Sequence, residues 1–198
     1  ERQVAAVRER RAAVHLDGAR IWECTPFYGN SPADIAALFD TVYVSLYKGL
    51  GGLSGCCLAG DVDVIEQARV WRKRHGGTLF ALWPSAASGL AALRKRLPLM
   101  ARYYEHARAI ADALRPIPNV EIVPDPPQTP MMHLHLRVDE GAFLAAARRI
   151  AEDDGIFTWA TTSTGDTPSV RVVELTVGDA TLTFAPSEVA KIVERLTA

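Results

Sequence analysis

The order of apolar and polar positions divides the chain into two stretches of different rhythm. Residues 2–12 set apolar side chains among arginines and glutamates at helical spacing and predict a short charged, amphipathic helix. The apolar run 12–14 leads into "HLDGAR" (15–20), a strand that ends in a glycine turn. Ser31, followed by Pro32 and then Asp34 three positions on, marks the N-terminus of a short helix. Thr41-Val42-Tyr43-Val44-Ser45-Leu46-Tyr47 is β-branched, aromatic and uncharged, as in a strand covered on both faces. Cys56-Cys57-Leu58-Ala59 predicts a third short strand, closed by Gly60-Asp61. From about 61 to 115 the period is helical, interrupted at Gly76-Gly77 and bent or broken at Pro84 and Pro98.

The rhythm changes after Pro116. Six of the chain's 12 prolines (116, 118, 124, 126, 127 and 130) fall in 116–130, which sets a domain boundary there and divides the chain into 1–116 and 117–198. Beyond it the pattern predicts a strand (131–138), a helix (about 140–153), a strand near 156–160, a strand pair (170–176 and 181–184) and a final helix (186–197). "VGDAT" reads as the hairpin turn between the paired strands. The second stretch is thus a small α+β domain. The first predicts an α/β unit with three short strands, expected to run parallel. Sheets covered on both faces usually have five or six strands, so the others are expected before residue 1.

Composition narrows the class without naming a function. With 198 residues, 48% hydrophobic and 23% charged, the chain is globular rather than disordered or fibrous. Lys plus Arg number 22 and Asp plus Glu 23, so a net charge of −1 gives no electrostatic reason to expect nucleic acid or an acidic membrane. No apolar run approaches the ~18 residues that span a bilayer. The first residues lack the apolar core of a signal peptide. The chain opens inside a helical pattern without an initiator Met, as expected of a piece of something longer. Cys24, Cys56 and Cys57 make a poor disulfide framework and fit a reducing cytoplasm; Cys56 and Cys57 are expected to pack as small apolar side chains.

Candidate chemistry lies at two strand ends. In open α/β sheets ligands bind beyond the carboxyl ends of the strands. Asp17 ends one candidate strand and Lys48 follows another, so the two could face one small molecule; a rim ion pair is the bland alternative. Lys48 is followed by Gly49, Gly51, Gly52 and Gly55, and glycine lets backbone approach a ligand closely. A nucleophilic lysine must spend time neutral, which an uncharged, partly desolvated setting encourages. Such a lysine can form an imine with an aldehyde, and an Asp across the site could hold a pyridinium nitrogen protonated. Those are the first two protein groups that a pyridoxal phosphate enzyme needs.

"HLDGARIWE" (15–23), "FDTVYVSLYKGLGGLSG" (39–55) and "ARVWRKRHGG" (68–77) together resemble the threonine aldolase/β-eliminating lyase family of fold type I pyridoxal phosphate enzymes. The likeness runs across most of the chain but covers only the C-terminal part of such an enzyme. It implies that 1–116 is part of the cofactor-binding large domain, a mostly parallel sheet with flanking helices, and that 117–198 is the small C-terminal domain. It implies that Lys48 forms the internal aldimine and that Asp17 pairs with the pyridine nitrogen. Arg20 matches an arginine near the cofactor's phenolic oxygen. Arg171, in "PSVRVVEL", matches the arginine that grips the substrate α-carboxylate, for which a guanidinium fork is suited. An exposed strand charge is the plain alternative for Arg171.

His15 and Ser45 are weaker cofactor-binding candidates. Alternation points His15 away from Asp17's immediate neighbours, so a structural role weighs as much as a cofactor contact. Ser45 could bond the cofactor phosphate, or equally the backbone as a buried strand serine. His133 and His135 share one strand face, yet no third metal ligand accompanies them and a solvated face is expected. The resemblance further implies an aldol-type cleavage: Arg171 fixes a β-hydroxy-α-amino acid, and loss of the β-hydroxyl proton releases glycine and an aldehyde. The hydroxyl base, the ring-stacking group and most of the phosphate cradle would lie before residue 1. Active sites shared between subunits of a homodimer or homotetramer are also implied.

Three departures qualify the substrate. Tyr47 stands where threonine aldolases commonly have a small serine. Thr78-Leu79-Phe80-Ala81 follows Gly76-Gly77 in place of a run to Arg-Gln, and Glu174-Leu175 stands in place of a Thr-His after Arg171. Together they suggest a more apolar pocket. β-Elimination or transamination on the same cofactor, a non-catalytic subunit and a plain α/β ligand-binding module are the other readings.

Overall fold

A computed structural model describes residues 2–198 and divides the chain into two compact units after Met100. In the first, α1 (Arg2–Arg8), β1 (His15–Gly18), α2 (Ile21–Tyr28), α3 (Pro32–Ala36), β2 (Thr41–Ser45), β3 (Cys56–Gly60), α4 (Val62–Arg74) and α5 (Trp83–Arg96) follow in order. A 3₁₀ turn, Leu97–Leu99, carries Pro98 and leads into α6 (Met100–Leu114). The expected helix 2–12 ends at Arg8, and Pro84 sits in the first turn of α5, where its missing N–H leaves no bond unmade. The Ser31 expectation holds in full. Its hydroxyl accepts the Asp34 N–H, and the Asp34 carboxylate accepts the Ser31 N–H, a reciprocal capping box; the Ser31 hydroxyl beside that carboxylate, and then the Ser31 N–H, lower the pKa of Asp34.

The three strands form one sheet in the order β1-β2-β3. β1 and β2 run parallel, with Asp17 opposite Tyr43, but β3 is antiparallel to β2 and corrects the all-parallel expectation. The physical reason is the connection. Only ten residues separate β2 from β3, too few for the crossover that a parallel return needs. β2 is also less covered than its composition suggests: Val42 and Ser45 are buried, the other three half-buried. β3 is exposed throughout, so Cys56 and Cys57 are exposed rather than packed.

The second unit holds most of α6 together with β4 (Val120–Val123), β5 (Met131–Leu136), α7 (Glu140–Asp154), β6 (Ser163–Thr164), β7 (Arg171–Thr176) and α8 (Pro186–Thr197). Its sheet is antiparallel, in the order β4-β5-β7-β6. Met132, Leu134 and Leu136 alternate inward along β5. They share the core with Tyr103, Ile110 and Leu114 of α6, Phe143 and Ile150 of α7, and Val193 and Leu196 of α8. β4 lies inside the proline-rich stretch: Val-Glu-Ile-Val is a proline-free window between Pro118 and Pro124.

Two expected strands are absent. Thr181–Thr183 is a 3₁₀ turn: the N–H groups of Leu182, Thr183 and Phe184 bond back to the carbonyls of Gly178, Ala180 and Thr181 instead of pairing with β7. Residues 156–160 are irregular, and β6 at Ser163–Thr164 takes the β7 edge instead. Helix α7 starts where Asp139 Oδ1 accepts the Ala142 N–H at 2.9 Å. Asp139→Ala should therefore lower stability by about 1 kcal/mol in urea unfolding, with the slope unchanged.

Candidate active site

Asp17 and Lys48 are carried to the same end of the parallel pair, one by β1 and the other by the loop after β2. Register partners in a parallel ladder share a face, which puts Asp17 beside Tyr43. His15, two residues before Asp17, lies on that face too; its Nδ1 is 2.8 Å from Thr41 Oγ1. A hydrogen bond with Tyr47, then desolvation, then nearby negative charges including Asp17, push the Tyr43 phenol up to about 12. Tyr43 is thus protonated at neutral pH.

The Lys48 loop is held by its own chain. Ser45, 1% exposed, accepts the N–H groups of Tyr47 and Lys48 on Oγ, each at 3.2 Å. The Gly51 N–H returns to the Lys48 carbonyl (2.7 Å), and Arg96 NH1 donates to the Leu50 carbonyl (2.8 Å). The glycines serve this packing. Gly51 has φ +65°, and a Cβ on Gly49 would lie 2.2 Å from Glu23 Oε1. The close approaches are therefore made by the protein's own groups. The Lys48 side chain is exposed and has no hydrogen bond or ion pair with any described residue. The partly desolvated setting expected from the sequence is not seen in this chain.

α2 went unread in the sequence because Pro26 disguises it. The carbonyl that Pro26 cannot bond, that of Trp22, accepts Thr25 Oγ1 at 3.2 Å instead. Arg20, at the N-cap of this helix, pairs through NH1 with Glu23 Oε2 at 3.2 Å. Glu23 is 1% exposed, and its Oε1 accepts the Gly49 N–H at 3.1 Å. Sequence reasoning missed this residue; the available signal was one acid on the otherwise uncharged helix face, three positions after Arg20. A cavity of about 870 Å³ lies beside β1, α2 and α3, lined by Asp17, Arg20, Ile21, Cys24 and Phe39 among others.

Arg171 opens β7 in the second unit. Its NH1 donates to Thr164 Oγ1 at 3.1 Å and lies 3.6 Å from Glu140 Oε2, while its Nε is buried without a hydrogen-bond partner. His133 and His135 are half-buried on one face of β5, opposite Glu174 and Val172 of β7. Among the described residues no group of three or more His, Cys, Asp and Glu side chains is placed to hold a metal.

A profile described as beta-eliminating lyase matches residues 1–138. The chain belongs to the beta-eliminating lyase family. A candidate L-allo-threonine aldolase from Listeria monocytogenes superposes with a TM-score of 0.89 at 34% identity, over 98% of this chain and 54% of that one. A candidate aromatic amino acid beta-eliminating lyase/threonine aldolase from Exiguobacterium gives a TM-score of 0.88 at 34% identity, with the same coverage. The low specificity L-threonine aldolase of Escherichia coli K12 is 36% identical over 108 residues, 54% of this chain and 32% of that protein. The chain therefore spans about half the length of the solved relatives it matches. The fold is that of fold type I enzymes, whose cofactor is pyridoxal phosphate.

The residues present fit that cofactor. Lys48 offers an amine without a competing partner. Asp17 offers an exposed carboxylate whose Oδ1 already accepts the Ala19 N–H at 3.1 Å, which fixes its orientation.

Proposed function

We propose that the protein is a pyridoxal phosphate-dependent lyase of threonine-aldolase type. It cleaves the Cα–Cβ bond of a β-hydroxy-α-amino acid, threonine-like or allo-threonine-like, into glycine and an aldehyde. The observation that carries this reading is the placement of Asp17 and Lys48 at one end of neighbouring parallel strands, within a chain of this family. When bound, the cofactor supplies an electron sink for charge developing at Cα.

In this reading Lys48 anchors the cofactor through its unpartnered amine. Asp17 keeps a proton on the ring nitrogen, and the backbone bond from Ala19 fixes that carboxylate's direction. Arg20 presents positive charge to the cofactor's phenolic oxygen. Ser45 serves the cofactor site by holding the loop amides, and His15, tied to Thr41, lines the same sheet face as Asp17. Arg171 takes the substrate carboxylate. A guanidinium whose Nε is buried and unbonded is a donor awaiting an acceptor. Arg171→Lys keeps the charge but loses the fork, so KM should rise about tenfold with a smaller change in kcat.

The large domain (1–116) and the small α+β domain (117–198) are proposed as the parts of the enzyme represented here. A cytoplasmic homodimer or homotetramer with shared active sites is proposed as its setting. Among the described residues no helix is long and apolar enough to cross a membrane. The deciding assay is aldehyde release by the intact protein from threonine, allo-threonine and bulkier β-hydroxy amino acids. Amino-group transfer to a keto acid, or β-elimination, without aldehyde release would overturn the aldolase reading.

A further inference from the structure

We propose that Glu23 is a positioning residue that locks Arg20 and the Lys48 loop together through one buried carboxylate. The inference rests on the reading of Lys48 and Arg20 as cofactor-facing residues. Among the described residues Glu23 and Ser45 are the buried polar side chains, and between them they take three consecutive amides. Ser45 accepts from Tyr47 and Lys48; Glu23 accepts from Gly49, the next residue. α2 grips the loop at a second point as well, where Trp22 Nε1 donates to the Ser45 carbonyl at 3.2 Å. The helix thus brackets Lys48 from both sides along the chain.

An ordinary i,i+3 pair on a helix surface would leave both groups in water. Here the acid is 2% exposed at its side chain and Arg20 27%, and the acid also bonds a backbone 26 positions away. A carboxylate withdrawn from water persists only when its charge is balanced and its lone pairs are bonded. Arg20 balances the charge and Gly49 takes one bond. Residue 49 must be glycine for this, since any Cβ would collide with the carboxylate. The position of the cation and the position of the lysine loop are therefore set by the same two oxygens.

Two substitutions separate the halves of this role. Glu23→Gln keeps an oxygen for Gly49 but removes the charge that balances Arg20. In intact protein loaded with pyridoxal phosphate, the pH midpoint of the visible absorbance should fall by about one unit, because losing one negative charge beside the site makes its potential more positive and expels a nearby proton. Glu23→Asp keeps the charge but cannot reach the loop. The midpoint should stay within about 0.3 unit, while amide exchange at Gly49, followed by nuclear magnetic resonance, quickens at least about tenfold. An unmoved midpoint in Glu23→Gln, or unchanged Gly49 exchange in Glu23→Asp, overturns the proposal. If either variant does not fold, wild-type exchange decides: a Gly49 amide as labile as an unbonded one overturns it, and a protected one upholds it. Wild-type protein that takes up no pyridoxal phosphate instead overturns the functional reading, and Gly49 exchange then still judges the loop contact.

Discussion

Lys48→Ala should abolish the visible absorbance that pyridoxal phosphate acquires on binding the intact protein, and lower turnover by about 10³-fold or more. That factor corresponds to about 4 kcal/mol of barrier. The expectation follows from the amine's lack of any other partner and from a loop whose three amides are taken by buried side chains. The side chain is exposed and contributes no contact to the core, so unfolding should change by no more than about 0.5 kcal/mol. A variant that keeps the absorbance removes Lys48 from the anchor role. One that unfolds shows that the loop depends on the lysine itself, contrary to the hydrogen bonds described.

Asp17→Asn is the second large effect expected. The amide keeps an oxygen for the Ala19 N–H and nearly the same shape, so the β1 turn stays as it is. What is lost is the negative charge that would keep a ring nitrogen protonated. Stabilisation aimed at charge that develops during reaction is worth about 10²–10³ in kcat per group, and a loss of that order is expected. Cofactor affinity should fall less than kcat. If kcat stays within a factor of about two, Asp17 is a rim carboxylate and the bland reading of the Asp17–Lys48 pair is the correct one.

The candidate site residues were open to local reading, while much of the fold around them was not. Asp17 and Lys48 stood out as charges at the ends of apolar strands, which short-range patterning displays, whereas Arg20 was singled out only by the family resemblance. The Ser31 capping box and the helix ending at Thr197 were equally open to local reading, since the bonds that make them span three or four residues. Glu23 was not legible. Nothing near it in sequence shows that its carboxylate meets Gly49, and Pro26 hid the helix that carries it. The glycines of the Lys48 loop were visible, but not which of the protein's own atoms they admit: Glu23 at Gly49, Arg96 at Gly51 and the Leu46 carbonyl at Gly52.

By itself the sequence determined most of the local elements, which strand end carries a carboxylate and which an amine, and the family to which the chain belongs. The tertiary structure alone decided how strands pair and what is covered. β3 is antiparallel because ten residues cannot carry a crossover, and Thr181–Thr183 closes on its own carbonyls while β6, further back in the chain, pairs with the start of β7. Strand direction and edge occupancy are properties of neighbours distant along the chain, and so is the burial that makes one glutamate a link between an arginine and a lysine loop.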